Sequence, residues 1–456
     1  MDSWIEQEMA GCQLKDKRLR ERLKKVLERL SNDPYESIPA ANDSWGETIA
    51  AYRFLDNRKV DFERILEGHR QASIKRISKH SMVFLAQDTS FLNFAQEQAL
   101  GLGTLRKTEN EYYLLHPTVA FSADRVNLGV LDADFWQRPE ESENHLRTKK
   151  PIEEKESYRW VKSDDMACRV QKDCPKTMVV SLADREGDRH EWFVEAENRP
   201  VAERAEYIIR AKCNRRTQSE DDEISYLWDE LTASPVLGKL SFVTPRNKNR
   251  QPRKVTLVIR AKQVEFTGRK GRKTQPVTVY AVLAKEPNPP KGEKPITWML
   301  LTSIPAEDLA MAKNIVAWYR NRWEIEIYFR ILKHGCTVED LRLETDRRLL
   351  NAIAVYMIVA WRIHTITMAS RSYPNKSCNI LFADPEWQTI YLMRMKKKPP
   401  KTPPKLNEIT RMLAQLGGFL ARKHDGEPGV QTIWRGYRRL KEYVEAIQMA
   451  QQLLTT

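Results

Sequence analysis

The sequence predicts an α/β protein: one mixed sheet with a β-rich insertion, flanked by helical N- and C-terminal segments. Three observations carry this. Apolar residues recur at helical spacing up to about residue 55, runs of strand character begin near residue 80, and helical spacing returns near Ala306 and dominates to the end. The 456 residues are enough for about three structural units at roughly 150 residues each.

Between Leu14 and Leu30, the residues Leu19, Leu23, Val26, Leu27 and Leu30 share one helical face, while Lys15, Lys17, Arg18, Arg20, Arg22, Lys24, Lys25 and Arg29 fill the others. Asn32-Asp33-Pro34 ends that helix. Ser44-Trp45-Gly46-Glu47 has the capping-box pattern and starts a second helix that runs through Leu55. Two short helices with basic surfaces suit a nucleic-acid-binding head; a solvated hairpin packed on the next segment has the same pattern. Strand runs follow at Met82–Ala86, Tyr112–Phe121, Val126–Leu131, Met178–Leu182 and Tyr207–Ile209, with helices at Tyr158–Val170 and Glu191–Glu197 between the later ones. Three strands in a meander, then helix, strand, helix, strand, make one mixed sheet in an α/β layer. Gly238–Ser303 is a second β-rich stretch, punctuated by Pro and Gly. Lys396–Lys405 carries four prolines and cannot be helical inside.

The net charge of +14 and pI near 9.3 point to a polyanionic partner, nucleic acid first. Cys12, Cys168, Cys174, Cys213, Cys336 and Cys378 are scattered without a Cys-x2-Cys pair, so structural zinc is not expected. Sparse cysteines and an N-terminus without a basic-then-apolar leader fit a cytoplasmic protein. The most apolar stretch, Ala352–Trp361, is about half of the roughly 20 residues a membrane span needs, so a buried helix is expected there and no membrane partner.

Two aspartates end apolar runs, at Met82–Asp88 and Thr177–Asp184. If both runs are neighbouring parallel strands, the two carboxylates meet at one sheet edge, where open α/β sheets place their sites. Paired carboxylates with open positions suit magnesium; an Asp after a strand equally caps a turn or helix. In the helical stretch Ile315–His334, the residues Tyr319, Arg322, Glu326, Arg330 and Lys333 share one α-helical face, with Trp318, Ile325 and Ile327 on the opposite flank for packing. Glu326 is either a functional acid among aromatic and cationic groups or the counter-ion of Arg322 and Arg330. Glu324 lies about 200° round the helix and is expected to sit at the surface, where its loss costs roughly 0 to 1 kcal/mol. Between Lys239 and Lys273 there are 12 Lys or Arg and one acid, Glu265, a run able to neutralise phosphates.

The pattern Tyr319-x2-Arg322-x3-Glu326-x6-Lys333 resembles the signature of cut-and-paste transposases of bacterial insertion sequences, in the large family numbered four. Further matching motifs follow in order: Ala51-Tyr52-Arg53-Phe54, Asp88-Thr89-Ser90, Asp184-Arg185-Glu186, Arg210-Ala211-Lys212, Pro289-Pro290-Lys291-Gly292-Glu293, Trp298-x-Leu300-Leu301-Thr302-Ser303 and Leu416-Gly417-Gly418-Phe419. The resemblance implies a ribonuclease-H-like catalytic domain over 73–370 with a β insertion at about 215–303. It also implies a helical DNA-binding domain over 1–72 and a helical dimerisation domain over 371–456. Asp88, Asp184 and Glu326 would hold two Mg²⁺ ions, with Mn²⁺ able to substitute. Tyr319, Arg322, Arg330, Lys333, Arg210 and Lys212 would grip phosphates, and Trp298 would stack on a flipped base during hairpin formation. The partners implied are double-stranded DNA, both transposon ends and target, and a second copy of the chain. Tyr437, Leu440, Val444, Ile447 and Leu454 form an apolar stripe that serves such a dimer or packing within the chain. Another ribonuclease-H-like nuclease, or a non-catalytic DNA-binding inhibitor of transposition, would share parts of this pattern.

Overall fold

The structure is a computed structural model that describes residues 4–94, 112–138, 151–218, 224–244, 252–267 and 275–455. Four helices come first: α1 (Trp4–Met9), α2 (Lys17–Asn32), α3 (Trp45–Leu55) and α4 (Phe62–Ile77). Strands β1 (Met82–Gln87), β2 (Ser90–Asn93), β3 (Tyr112–Ser122) and β4 (Asn127–Trp136) follow. Next are α5 (Arg159–Asp173), β5 (Met178–Ala183), α6 (His190–Asn198) and β6 (Glu206–Arg210). The insertion holds β7 (Arg216–Gln218), β8 (Ile224–Tyr226), α7 (Leu227–Ala233), β9 (Gly238–Val243), β10 (Lys254–Phe266), β11 (Val277–Lys285) and β12 (Thr297–Thr302). The rest is helical: α8 (Leu309–Tyr319), α9 (Glu324–Arg330), α10 (Asp346–Ser372), α11 (Asp384–Met395), α12 (Leu406–Leu416) and α13 (Val430–Thr455). A mixed sheet with helices is therefore the architecture. The chain divides into two compact units, one of Met1–Ile77, Thr89–Arg138 and Glu324–Thr456, the other of Ser78–Asp88 and Pro139–Trp323.

In the second unit, β1 pairs parallel with β5 and β5 parallel with β6; β12, β11 and β10 then continue antiparallel, with β9 and β7 both on β10. Alternation along these strands gives the sheet two apolar faces, each covered. Trp160 of α5 and Trp192 and Phe193 of α6 fill one side with Met299 and Leu301. Ile315, Val316 and Tyr319 of α8 fill the other with Phe84, Val180 and Leu300. Parallel strands buried on both faces read as continuous apolar runs, which is why Met82–Ala86 and Met178–Leu182 were plain in the sequence.

The first unit is built on α10. Its 27 residues exceed the Ala352–Trp361 stretch, and its most apolar window is long and apolar enough to cross a membrane, yet 94% of that window is buried inside the protein. Helices α2, α3, α4, α12 and α13, together with β4, pack on it. Strand β3 pairs antiparallel with both β2 and β4. The N-terminal helices share this core. Glu8, only 2% exposed, accepts from the Arg76 guanidinium and bonds the buried His69 ring at 2.5 Å, while His69 Nε2 accepts the Val130 N–H of β4 at 2.9 Å. Asp16 caps α2, and Ser44 caps α3 by accepting from Glu47 N–H. The Glu47 carboxylate turns to Arg29 and Lys25 of α2.

The stretch expected as one helix around Ile315–His334 is four pieces. α8 ends at Tyr319, Arg320–Trp323 is a 3₁₀ turn, α9 covers Glu324–Arg330, and Ile331–Gly335 is a π turn. The Asn321 side chain donates to the Trp318 carbonyl at 3.1 Å, competing with the α-helical ladder where it breaks. The single shared face of Tyr319, Arg322, Glu326, Arg330 and Lys333 is corrected accordingly: Tyr319 and Arg322 are buried, Glu326 and Arg330 exposed. Glu324 is corrected too. Only 3% exposed, it faces Arg125 at 3.7 Å and His364 at 3.5 Å instead of water.

Candidate active site

Strands β1 and β5 run side by side in register, Leu85 opposite Ser181 and Ala86 opposite Leu182. The same offset of 96 residues separates Asp88 from Asp184, so each aspartate follows its strand at the same edge of the sheet. Asp184 also caps the turn Arg185–Gly187, its Oδ1 accepting from Glu186 N–H at 2.7 Å. The bland reading of an Asp after a strand thus holds for one oxygen of Asp184. Asp88 Oδ2 accepts from Arg322 Nη1 at 2.9 Å, with the two side chains 23% and 10% exposed.

Arg322 is the centre of a cationic and aromatic group on this edge. Burial pushes the Tyr319 phenol above its ordinary value, against the pull of Arg322 and Arg210, so the hydroxyl stays a donor. Burial lowers the Arg210 guanidinium, and Arg185 adds to this; Arg210 Nη2 donates to the Thr297 carbonyl at 3.2 Å. The second unit therefore gathers Asp88, Asp184, Arg210, Tyr319 and Arg322. The next loop is pinned by an acid that sequence reasoning passed over. Asp188, fully buried at its side chain, accepts from the N–H groups of Lys212 and Cys213 at 2.7 and 3.0 Å and from Arg215 Nε at 2.9 Å. Lys212 keeps an exposed side chain while its backbone is fixed. The signal was the second Asp in Asp184-Arg-Glu-Gly-Asp188, four residues past the first.

Trp298 departs from the expectation of an open stacking face. It is 6% exposed in the β12 core, parallel to Phe242 with centroids 6.3 Å apart and edge-on to Trp323 at 5.7 Å. Trp323, 40% exposed, is the aromatic with a free face there. Glu326 belongs to the first unit, exposed on α9 with Arg330 one turn on. In that unit Lys333 donates to the Phe91 carbonyl and faces Glu339 at 3.6 Å. Among the described residues, no three His, Cys, Asp or Glu side chains lie close enough together to hold a metal ion. The aspartates that follow the two paired strands, Asp88 and Asp184, offer carboxylates only, hard oxygen ligands that fit Mg²⁺ or Mn²⁺ better than a thiolate-seeking metal. Part of the basic run Lys239–Lys273, at 245–251 and 268–274, lies outside the described residues.

Three family models match in chain order: Transposase DNA-binding over 1–60, Transposase DDE domain over 196–362 and Transposase Tn5 dimerisation domain over 358–456. By these domains the chain is a DNA-binding transposase, an enzyme that cuts and joins DNA and forms a homodimer. More narrowly, the set is that of a Tn5-type transposase. The DDE match includes Glu326 and starts beyond Asp88 and Asp184. Among solved structures, a cryo-EM piggyBac transposase synaptic complex with hairpin DNA aligns over 80% of this chain and 72% of that one, at 11% identity. Its TM-score of 0.35 is too low to bear on the fold.

Proposed function

We propose that this protein is a cut-and-paste transposase of ribonuclease-H-like fold, similar to the transposase of the composite kanamycin-resistance transposon. In this reading it binds the ends of its element, cuts both strands at each end through a hairpin and joins the freed 3′ ends to target DNA. The observation that carries the reading is the register-matched pair Asp88 and Asp184, set beside Arg322, Arg210 and Tyr319. Glu326 is taken as the third acid from the Tyr319-x2-Arg322-x3-Glu326-x6-Lys333 signature and its exposure on α9. The three carboxylates would hold two Mg²⁺ ions, with Mn²⁺ substituting, and the bound ions would supply Lewis acidity at the attacking and leaving oxygens.

The chain's own groups do the positioning. Arg322, anchored by Asp88, and Arg210, anchored by Thr297, present cations already fixed in place, so little side-chain entropy is lost when a phosphate arrives. The protonated Tyr319 adds a hydroxyl donor, and Lys212, Arg330 and Lys333 extend the grip along the backbone. A flipped base would stack on Trp323, with Trp298 buttressing it from below. The exposed outer half of α13, where Met449 and Leu453 are 63% and 79% exposed, suits the second subunit.

The test is cleavage of DNA bearing the element's ends in Mg²⁺. Asp88→Asn, Asp184→Asn and Glu326→Gln should each abolish nicking while end binding in a gel shift survives. Nicking by any of the three folded variants at the rate of the parent protein would refute the assignment.

A further inference from the structure

A cavity of about 860 Å³ in the first unit is lined by Arg330, His334, Arg371, Arg435 and Arg438. Among the described residues no carboxylate lines it. Two of these cations are committed. Arg371 Nη2 donates to the Pro428 carbonyl at 2.8 Å, and Arg438 pairs with Asp33 and Glu36 at 3.2 and 3.0 Å. Arg330, His334 and Arg435 make no hydrogen bond or ion pair among the described residues, so the two guanidiniums line the cavity without a counter-ion, with the imidazole beside them. Such a grouping costs self-repulsion that a bound anion relieves.

The shape and the other lining groups narrow the ligand. The volume falls in the range of small-molecule sites, roughly 300 to 1,000 Å³. Guanidinium forks match phosphate oxygens two at a time, which a monodentate acid does not exploit. Gly429, and Val430 and Gln431 in the first turn of the 26-residue α13, open on the same space and add backbone N–H groups to the cationic wall. Tyr35, 54% exposed, offers a flat face at the rim, while Ile327, Met368 and Trp434 make an apolar floor. Cations for a phosphate and a planar apolar surface for a ring are the two halves of a nucleotide-binding site.

We propose that this cavity binds a nucleotide unit, its phosphate on Arg435 and Arg330 and its base against Tyr35. The nucleotide comes from a DNA strand or from a free mononucleotide, and the two sources share this chemistry. A DNA strand would deepen the transposase reading above; binding itself does not depend on the carboxylates of that reading, so no cleavage enters the test.

The experiment uses the full chain without divalent metal and follows fluorescence anisotropy of a labelled single-stranded decanucleotide of arbitrary sequence over a range of salt. Arg435 is exposed on α13, so Arg435→Ala leaves the fold intact; Lys423→Ala, an exposed cation that does not line the cavity, controls for net charge. Arg435→Ala should weaken binding about tenfold and reduce the salt slope by about 0.7, the loss of one single-strand phosphate contact. Lys423→Ala should change neither. Competition by deoxyadenosine monophosphate at micromolar concentration assigns the site to a free nucleotide; competition by oligonucleotide alone assigns it to a strand. Equal loss in both variants, no loss in Arg435→Ala, or displacement by an oligoglutamate peptide as effective as by the oligonucleotide would each overturn the proposal.

Discussion

Replacing Glu324 with Ala removes a buried carboxylate whose partners are fixed by the surrounding strands. Asn127 Oδ1 accepts the Gly129 N–H at 3.0 Å, which orients its amide so that Nδ2 donates to His364 Nδ1 at 3.2 Å. The His364 N–H is therefore Nε2, and it faces Glu324 at 3.5 Å with both side chains buried. The contact is not aligned as a hydrogen bond, so removing the carboxylate costs this buried N–H only the charge it faces, about 1 to 2 kcal/mol. The second partner, Arg125, is 40% exposed at its side chain and 3.7 Å away, so its share is discounted to about 0 to 1 kcal/mol. The total, about 1 to 3 kcal/mol, contrasts with less than about 1 kcal/mol for exposed Glu326→Ala. For a unit of this size the larger value lowers Tm by about 2 to 9 °C. Thermal unfolding by circular dichroism compares the two variants, with Glu324→Gln expected to recover part of the loss. If Glu324→Ala melted within 1 °C of the parent while Glu326→Ala melted several degrees lower, the register of α9 would be wrong.

Three further outcomes are expected. Trp298→Ala should cost about 3 to 5 kcal/mol through the cavity it opens and impair nicking and hairpin formation alike; Trp323→Ala should keep its fold and lose mainly hairpin product, as denaturing gels would show. Gly436→Ala should strongly destabilise the α12–α13 contact, because an added Cβ would meet the Leu413 carbonyl oxygen at 1.9 Å; a normal melting curve would contradict that. Burial raises the Asp164 carboxyl to about 7, against the pull of Arg199. A raised acid contributes stability that is complete below its unfolded value near 4 and lost as pH rises through 7, so Tm should fall from pH 4 to 8, and Asp164→Asn should flatten that fall.

The strands carrying Asp88 and Asp184 were legible because strands covered on both faces leave unbroken apolar runs, and the two aspartates end those runs. Their register was not legible, since a pairing offset is fixed by tertiary packing and leaves no local mark. The Tyr319–Lys333 stretch misled for a different reason. Residue spacing assumes 100° per residue, and nothing in the composition of Arg320–Trp323 announces the 3₁₀ turn that Asn321 and Arg322 impose through their side-chain partners. Glu324 and Glu326 were correctly placed on opposite faces, but which faced the core depended on Arg125 and His364, roughly 200 and 40 residues away. Helix α4 went unread because its face mixes Ile65, Leu66 and Ile77 with two buried polar residues: His69, satisfied by Glu8 and the β4 backbone, and Ser73, which donates to the His69 carbonyl. The C-terminal stripe resolves both ways: Tyr437 and Leu440 are core and Val444 packs partly buried against them, while Met449 and Leu453 farther along the helix are exposed.

Helix α10 has a consequence for synthesis. The helices that first cover it, α2, α3 and α4, leave the ribosome before residue 78, whereas α10 begins at Asp346 and its last cover, α13, at Val430. At roughly 5 to 20 residues per second, the N-terminal helices wait on the order of 15 to 50 seconds for the surface they are built to grip. During that interval Leu23, Val26, Leu27 and Leu55 have only the shelter that α1 to α4 give one another. The emerging α10 is itself apolar enough to be mistaken for a membrane segment until those helices close over it. A nascent chain stopped before Asp346 would carry its basic N-terminal helices with none of α10 to hold them, making it a substrate for proteolysis rather than a working fragment.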